Sequence, residues 1–249
     1  MRTSLYPTIT MFSKSLTYLL AMASLAYAMP TPELEQRAVA YKLYTGDGTN
    51  WPAQTAWASF DTMWANNQAI LSSSCTQFKQ ANNSPAEIAE ILSAIKSVSA
   101  STGVDTRFIL AIVMQESGGC VRAPISNGGV INPGLMQDHN GSHNCNSNHQ
   151  GLTDGSAQNP CPAAQITGMI TDGTAGTASG DGLKQCLAQS GVTGARASYI
   201  AARIYNTGSY AVGADLGKPR YGTSCYASDI ANRLLGWAGA STPCTLPNP

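Results

Sequence analysis

The sequence predicts a mainly α-helical, disulfide-stabilised domain with a loop-rich middle, and three observations carry that prediction. Apolar residues recur at three- and four-residue spacing in separate segments that open near Ser84, Asp105, Leu183, Ser198 and Tyr226. The two-residue alternation that a half-buried strand needs never persists for more than a few residues. Seven cysteines, Cys75, Cys120, Cys145, Cys161, Cys186, Cys225 and Cys244, all fall after the first quarter of the chain, in a pattern without a CxxC pair. In an oxidising compartment at most three bridges form and one thiol is left over; spacing alone does not say which.

The N-terminus reads as an address. Lys14 precedes the apolar run LTYLLAMASLA, and Ala26-Tyr27-Ala28 is a small-x-small cleavage signal, so residues 1–28 are predicted to be a secretory signal peptide. Starting instead at Met11 makes that signal more compact. The alternative, a membrane anchor, is disfavoured by the shortness of the apolar segment. The Pro-rich, acidic stretch that follows ends at Gln36-Arg37, which marks residues 29–37 as a pro-segment and places the mature start near Ala38. Residues 38–83 are predicted as an irregular N-terminal segment, 84–240 as the main domain and 241–249 as a tail. The triplets at Asn82 and Asn140 are glycosylation acceptors that agree with secretion, although Pro85 weakens the first.

Composition excludes some partners. Of 249 residues, 43% are apolar, enough for a core, and only 11% are charged, with a net charge of zero and no long basic run. Neither nucleic acid nor an anionic membrane would be drawn to such a surface.

The elements follow in order. Ser84-Pro85-Ala86-Glu87 is a capping box with Pro in the first helical position, and Ile88, Ile91, Leu92, Ile95 and Val98 then share one face until Gly103 ends the run. This helix is expected to pack without chemistry. Asp105 caps a second helix through FILAIVMQES, which stops at Gly118-Gly119. A Gly-, Asn- and Pro-rich middle follows, with one short apolar stretch around Gln165 to Ile170 and the loop Asp172 to Gly182. Helical spacing returns at LKQCLAQ, at SYIAARIYN and at YASDIANRLLGWAG, where Tyr226, Ile230 and Leu234 repeat every four residues.

Glu116 stands in the last turn of the second helix, behind Val113, Ile112, Ile109 and Phe108, so it projects from the apolar stripe. Desolvation and the negative end of the helix dipole both raise its pKa, which suits a general acid that protonates a glycosidic oxygen. The plain alternative is a helix-end glutamate that reaches water.

Three ordered blocks add to this: MQES at Met114 to Ser117, NPGLMQ at Asn132 to Gln137, and IYNTG at Ile204 to Gly208. Through them the chain resembles the superfamily of soluble lytic transglycosylases and goose-type lysozymes, and looks closest to its small secreted fungal branch. The resemblance covers residues 84–237 and implies a lysozyme-like helical domain with a loop-rich cleft. It implies Glu116 as catalytic acid and base, followed by Ser117, with Gly134, Leu135, Met136 and Gln137 lining the sugar cleft, Tyr205 as the hydroxyl that orients the glutamate, and Asn206 beside it on the substrate. Each block also has a bland reading, as a turn or a core tyrosine. The segment before GLMQ, Ser126 to Pro133, is richer in asparagine than the family pattern.

The resemblance implies a single-glutamate route, in which the substrate's acetamido group or a fixed dipole carries the cationic charge. Attack by a muramic acid C6 hydroxyl would yield a 1,6-anhydro sugar, and attack by water a lysozyme outcome. A second carboxylate, as ordinary glycosidases use, has Asp138, Asp172 and Asp181 as candidates in turn-rich sequence. His139, His143 and His149, with Cys145 among them, have metal-like density, but Asn140 and Gly141 argue against the helix that would bring the first two together. The loop Asp172 to Gly182 lacks a phosphate cradle's lysine and is expected to border the cleft. Trp51, Trp57, Trp64 and Trp237 are core residues or sugar platforms. The expectation is thus a cofactor-free monomeric enzyme acting on peptidoglycan. Chitin as substrate, or a catalytically silent glycan binder, are the alternatives.

Overall fold

A computed structural model describes residues 39–249 and Met1; apart from Met1, the predicted signal peptide and pro-segment lie outside the described residues. The regular structure consists of α1 (Phe60–Leu71), α2 (Pro85–Thr102), α3 (Thr106–Glu116), the strands β1 (Ser126–Asn127) and β2 (Ile131–Asn132), α4 (Ala163–Ala175), α5 (Leu183–Gln189), α6 (Ala195–Thr207) and α7 (Tyr226–Leu234). The strands pair antiparallel, Ser126 opposite Asn132 and Asn127 opposite Ile131. The mainly helical class therefore holds. No helix among the described residues is long and apolar enough to cross a membrane.

The core is built around α3. All seven residues from Phe108 to Met114 are buried, and the helix packs against α1, α2, α4 and α7. This corrects the expected one-sided stripe: α3 is apolar all round because neighbours surround it. At about 1.5–3 kcal/mol for each fully buried large apolar side chain, such a run fixes the helix and whatever stands at its end.

The capping box forms as the sequence predicts. Ser84 Oγ accepts from Glu87 N at 3.2 Å, and Glu87 Oε2 accepts from Ser84 N at 2.7 Å. Glu87 has a further role that was not foreseen for α2. Only 3% exposed, it pairs with the buried Arg122 and accepts from Cys161 N at 2.7 Å. Three charge-assisted bonds on one carboxylate outweigh desolvation and bring its pKa down to about 2.

Three expectations about boundaries need correction. Residues 38–83 are not irregular, since they contain α1 and belong to the compact unit Ala38–Pro249. Trp51 and Trp57 are buried against Tyr199, and Lys42 N and Tyr44 N donate to Asn232 Oδ1 (2.8 Å) and Ser228 Oγ (2.9 Å) of α7. Residues 241–249 are bound to the same unit: Thr242 Oγ1 donates to Asp229 (2.8 Å), Ser224 Oγ donates to Pro247 O (2.6 Å) and Cys244 is bridged to Cys225. The short apolar stretch at Gln165 to Ile170 belongs to a 13-residue helix that absorbs the start of the predicted loop. Its glycines allow close approach: a Cβ at Gly168 would lie 2.2 Å from the His143 ring, and one at Gly173 2.6 Å from Met136.

The cysteines form Cys75–Cys120, Cys145–Cys161 and Cys225–Cys244. Cys186 is the free thiol, and burial pushes its pKa up to about 12.

Candidate active site

Glu116 closes α3. Gly118 and Gly119 follow with φ of 64° and 77°, and a Cβ at Gly119 would lie 2.4 Å from Leu71, so the chain leaves the helix where only glycine fits. The carboxyl group is recessed, and burial raises its pKa to about 7, against a smaller downward pull from the Tyr226 hydroxyl, which donates to Glu116 Oε1. Tyr226 opens α7 directly after the bridged Cys225, whose φ of 61° turns the chain into the helix. Burial holds the Tyr226 pKa well above its usual value, so it remains a donor.

The tyrosine that faces the glutamate is thus Tyr226, not Tyr205 as the motif implied. Tyr205 donates instead to Met136 O at 2.9 Å, which ties α6 to the GLMQ turn. Its pKa also lies well above the usual value, from burial first and then from the charges of Asp138 and Glu116.

Asp138 is the most unusual group nearby. It is 2% exposed, and neither carboxylate oxygen has a hydrogen-bond partner among the described residues. Burial, then the charge of Asp172, then that of Glu116 raise its pKa to about 7. Two local features send it inward: Gln137 adopts a left-handed φ of 46°, and Gly141 leaves room where a Cβ would sit 1.9 Å from Asp138 Oδ2. The other two acidic candidates are engaged. Asp172 Oδ2 accepts from Ser142 N (3.0 Å) and meets His143 Nδ1 (2.7 Å), while Asp181 Oδ2 accepts from Gln189 at 2.6 Å.

The remaining motif residues divide into scaffold and lining. Ser117 is 1% exposed, and its Oγ bonds Leu135 O at 2.8 Å, bracing α3 against the turn. Leu135 and Met136 are fully buried. These three shape the floor, and their expected contact with substrate through side chains is corrected. Gly134 has φ 71°, and a Cβ there would meet Met169 Sδ at 2.3 Å. Gln137 donates to Pro124 O (3.1 Å) and Gly134 O (3.0 Å) and lines a cleft of about 720 Å³ together with His139, Asp181, Tyr205 and Asn206. Glu116 lines a different, smaller cavity of about 300 Å³, beside Gln77, Gln115 and Arg233. The expected single cleft is therefore two hollows, and Tyr205 and Asp138 both feel the charge of Glu116.

Of the tryptophans, Trp51, Trp57 and Trp237 are buried, and Trp64 is half-buried against Phe60. The histidines are dispersed: His143 pairs with Asp172, His149 with Asp154, and His139 lines the cleft. No group of three His, Cys, Asp or Glu among the described residues is placed to hold a metal. Sequence reasoning missed Tyr226, whose one signal was a polar tip on an otherwise apolar four-residue repeat. No family model, curated protein or solved structure matches the chain.

Proposed function

We propose that the chain is a secreted, monomeric, lysozyme-like glycosidase that cleaves β-1,4 bonds in an N-acetylhexosamine polymer, peptidoglycan above all. The observation that carries the proposal is a recessed Glu116, held near neutral pKa at a helix end, hydrogen-bonded by Tyr226 and coupled to a second, unpartnered carboxyl group. A glycosidic oxygen needs a proton donor that remains protonated near pH 6 to 7, and Glu116 meets that need. The Tyr226 hydroxyl then stabilises the carboxylate left by proton transfer. The three blocks MQES, NPGLMQ and IYNTG support the same class, and three disulfides suit an extracellular life.

Asp138 adds a second buried acid to the single-glutamate route. Its pKa is raised to about 7 mainly by burial, with the charge of Asp172 and then that of Glu116 adding smaller upward effects. Glu116 donates to the leaving oxygen, and Asp138, sealed from solvent, acts on that step only through its charge. In this reading the scissile bond meets Glu116 at the smaller hollow, and the larger cleft takes flanking sugar rings.

The test is Glu116→Gln. Turbidity clearing of peptidoglycan by the purified protein should fall by about a thousandfold or more while the circular dichroism spectrum is unchanged. Equal clearing by wild type and variant refutes the proposal. Mass spectrometry of products from peptidoglycan and chitin separates the substrates, and anhydro ends separate transglycosylation from hydrolysis. The low charge of the chain favours chitin as the second reading. Binding without cleavage by either protein would identify a silent glycan binder.

A further inference from the structure

One aromatic side chain on the cleft has no part in the site described above. Tyr221, in the segment KPRYGT between α6 and α7, is 65% exposed and lines the larger cleft. The Arg220 guanidinium carbon lies 5.3 Å from its ring centroid, within cation–π range. Arg220 itself is exposed and forms no ion pair among the described residues.

An exposed tyrosine on a loose loop would mean little, but the backbone beside this one is clamped. Gly222 has φ 84°, and a Cβ there would lie 2.6 Å from Asn206 Oδ1 and 2.7 Å from Thr207. Thr223 N donates to Asn206 Oδ1 at 2.9 Å, and Arg203 grips the same point, with Nη1 to Asn206 Oδ1 at 2.9 Å and Nη2 to Thr223 O at 3.0 Å. Arg203 is 2% exposed, so the clamp is anchored in the core. Asn206 therefore serves the cleft as a fastener for Tyr221 as well as through its place in the wall. Holding an aromatic side chain in place before a ligand arrives lowers the entropy cost of binding.

A pyranose ring has an apolar face of axial C–H bonds edged by hydroxyl and amide groups. The cleft offers the complement: a ring face at Tyr221, and amide side chains at Gln137 and Asn132 near the hairpin. We propose that Tyr221 is the stacking platform for one N-acetylhexosamine ring of the substrate, and that Arg220 beside it selects glycans that carry carboxylates, such as the lactyl or peptide acids of peptidoglycan. This rests on the glycosidase reading and names the substrate class for it. Asp181, which also lines the cleft, is engaged by Gln189 and leaves Arg220 available to an anion.

The experiment uses the Glu116→Gln protein, so that ligand is not consumed, and calorimetric titration with chitotetraose and with a peptide-bearing GlcNAc–MurNAc tetrasaccharide. Adding Tyr221→Ala should weaken both ligands about tenfold, while Tyr221→Trp stays within about threefold. Adding Arg220→Gln should weaken only the charged ligand, by about tenfold. Since both side chains are exposed, the melting temperature should be unchanged. Unaltered affinity in Tyr221→Ala overturns the platform while leaving the glycosidase reading intact. Equal loss of both ligands in Arg220→Gln, or none, overturns the charge selection. Should the parent bind neither glycan, the glycosidase reading falls and the platform with it.

Discussion

The hydroxyl of Tyr226 donates to Glu116, while that of Tyr205 donates to a backbone carbonyl 2.9 Å away. Removing each hydroxyl should therefore have different consequences. The Tyr226 bond favours the ionised glutamate, so Tyr226→Phe should raise the Glu116 pKa above its value of about 7 and move the alkaline limb of the kcat/KM profile to higher pH. The rate on the acid plateau should fall roughly tenfold, because the carboxylate formed after proton transfer loses one charge-assisted bond. Tyr205→Phe should leave that limb in place and weaken the turn that carries Gln137. A pH–rate series on both variants checks this, and a limb that moves in Tyr205→Phe alone would reverse the assignment. Glu116 was legible in the sequence because its partners in burial are local, within one helix. Tyr226 was not, because it stands 110 residues away and meets Glu116 only through the packing of α3 on α7. Asp138 was named with Asp172 and Asp181 but could not be told apart from them: aspartate in a turn has an ordinary backbone explanation, and nothing local announces a buried one without partners.

Among the elements, those with a dense apolar repeat could be read and those without one could not. Ser84 with Glu87, and Asp105, mark α2 and α3, whose starts match the sequence. In contrast, α1 buries just Met63, Asn67 and Leu71, too sparse a stripe to stand out, and α4 carries two glycines that usually argue against a helix. Those glycines are explained only by what they touch, His143 and Met136. The same limit applies to Glu87, whose cap was visible and whose ion pair was not. Arg122 spends all its bonds on this junction: Nη2 meets Glu87 Oε2 at 3.1 Å and Asn82 O at 2.8 Å, and Nε meets Ala81 O at 2.9 Å. Glu87→Ala should thus cost about 3–5 kcal/mol, far more than a lost cap, because it strands a guanidinium in the core. Arg122→Met should cost less than Glu87→Ala, because the stranded carboxylate keeps the N–H groups of Ser84 and Cys161 and can take up a proton, and the double variant should lose less than the sum. Urea denaturation of the three proteins measures this directly, and additive losses would show that the two side chains act independently.

At the scale of the whole molecule, the helical class and the count of three bridges were legible from composition and spacing. The extent of the folded unit was not, since Tyr41, Lys42, Tyr44 and Thr242 reach α7 from both ends of it by long-range bonds. The unit gathers carboxyl groups of two kinds, and they set opposite limits on its stability. Glu116 and Asp138 have pKa values raised to about 7 from ordinary values of 4.5 and 3.8, and that of Asp229 is also raised, in each case mainly by burial. A folded state that holds protons more tightly than the unfolded chain is favoured at low pH, so this contribution is full below the unfolded values and fades as pH rises through about 7. Glu87, lowered to about 2, works in the other direction: its contribution is full above 4.5 and is lost as pH falls toward 2. Thermal stability should therefore peak in mildly acidic solution, between about pH 4 and 6, and decline toward pH 8 with every disulfide intact. Asp138→Asn replaces a buried charge with a neutral amide, which costs less to leave without partners. The variant should melt on the order of 5 °C above the wild type at pH 8, and this advantage should vanish near pH 4. Calorimetric scans from pH 3 to 9 decide the matter: an advantage that persists at pH 4 would trace to packing, and none at pH 8 would mean that Asp138 is not held there as a buried acid.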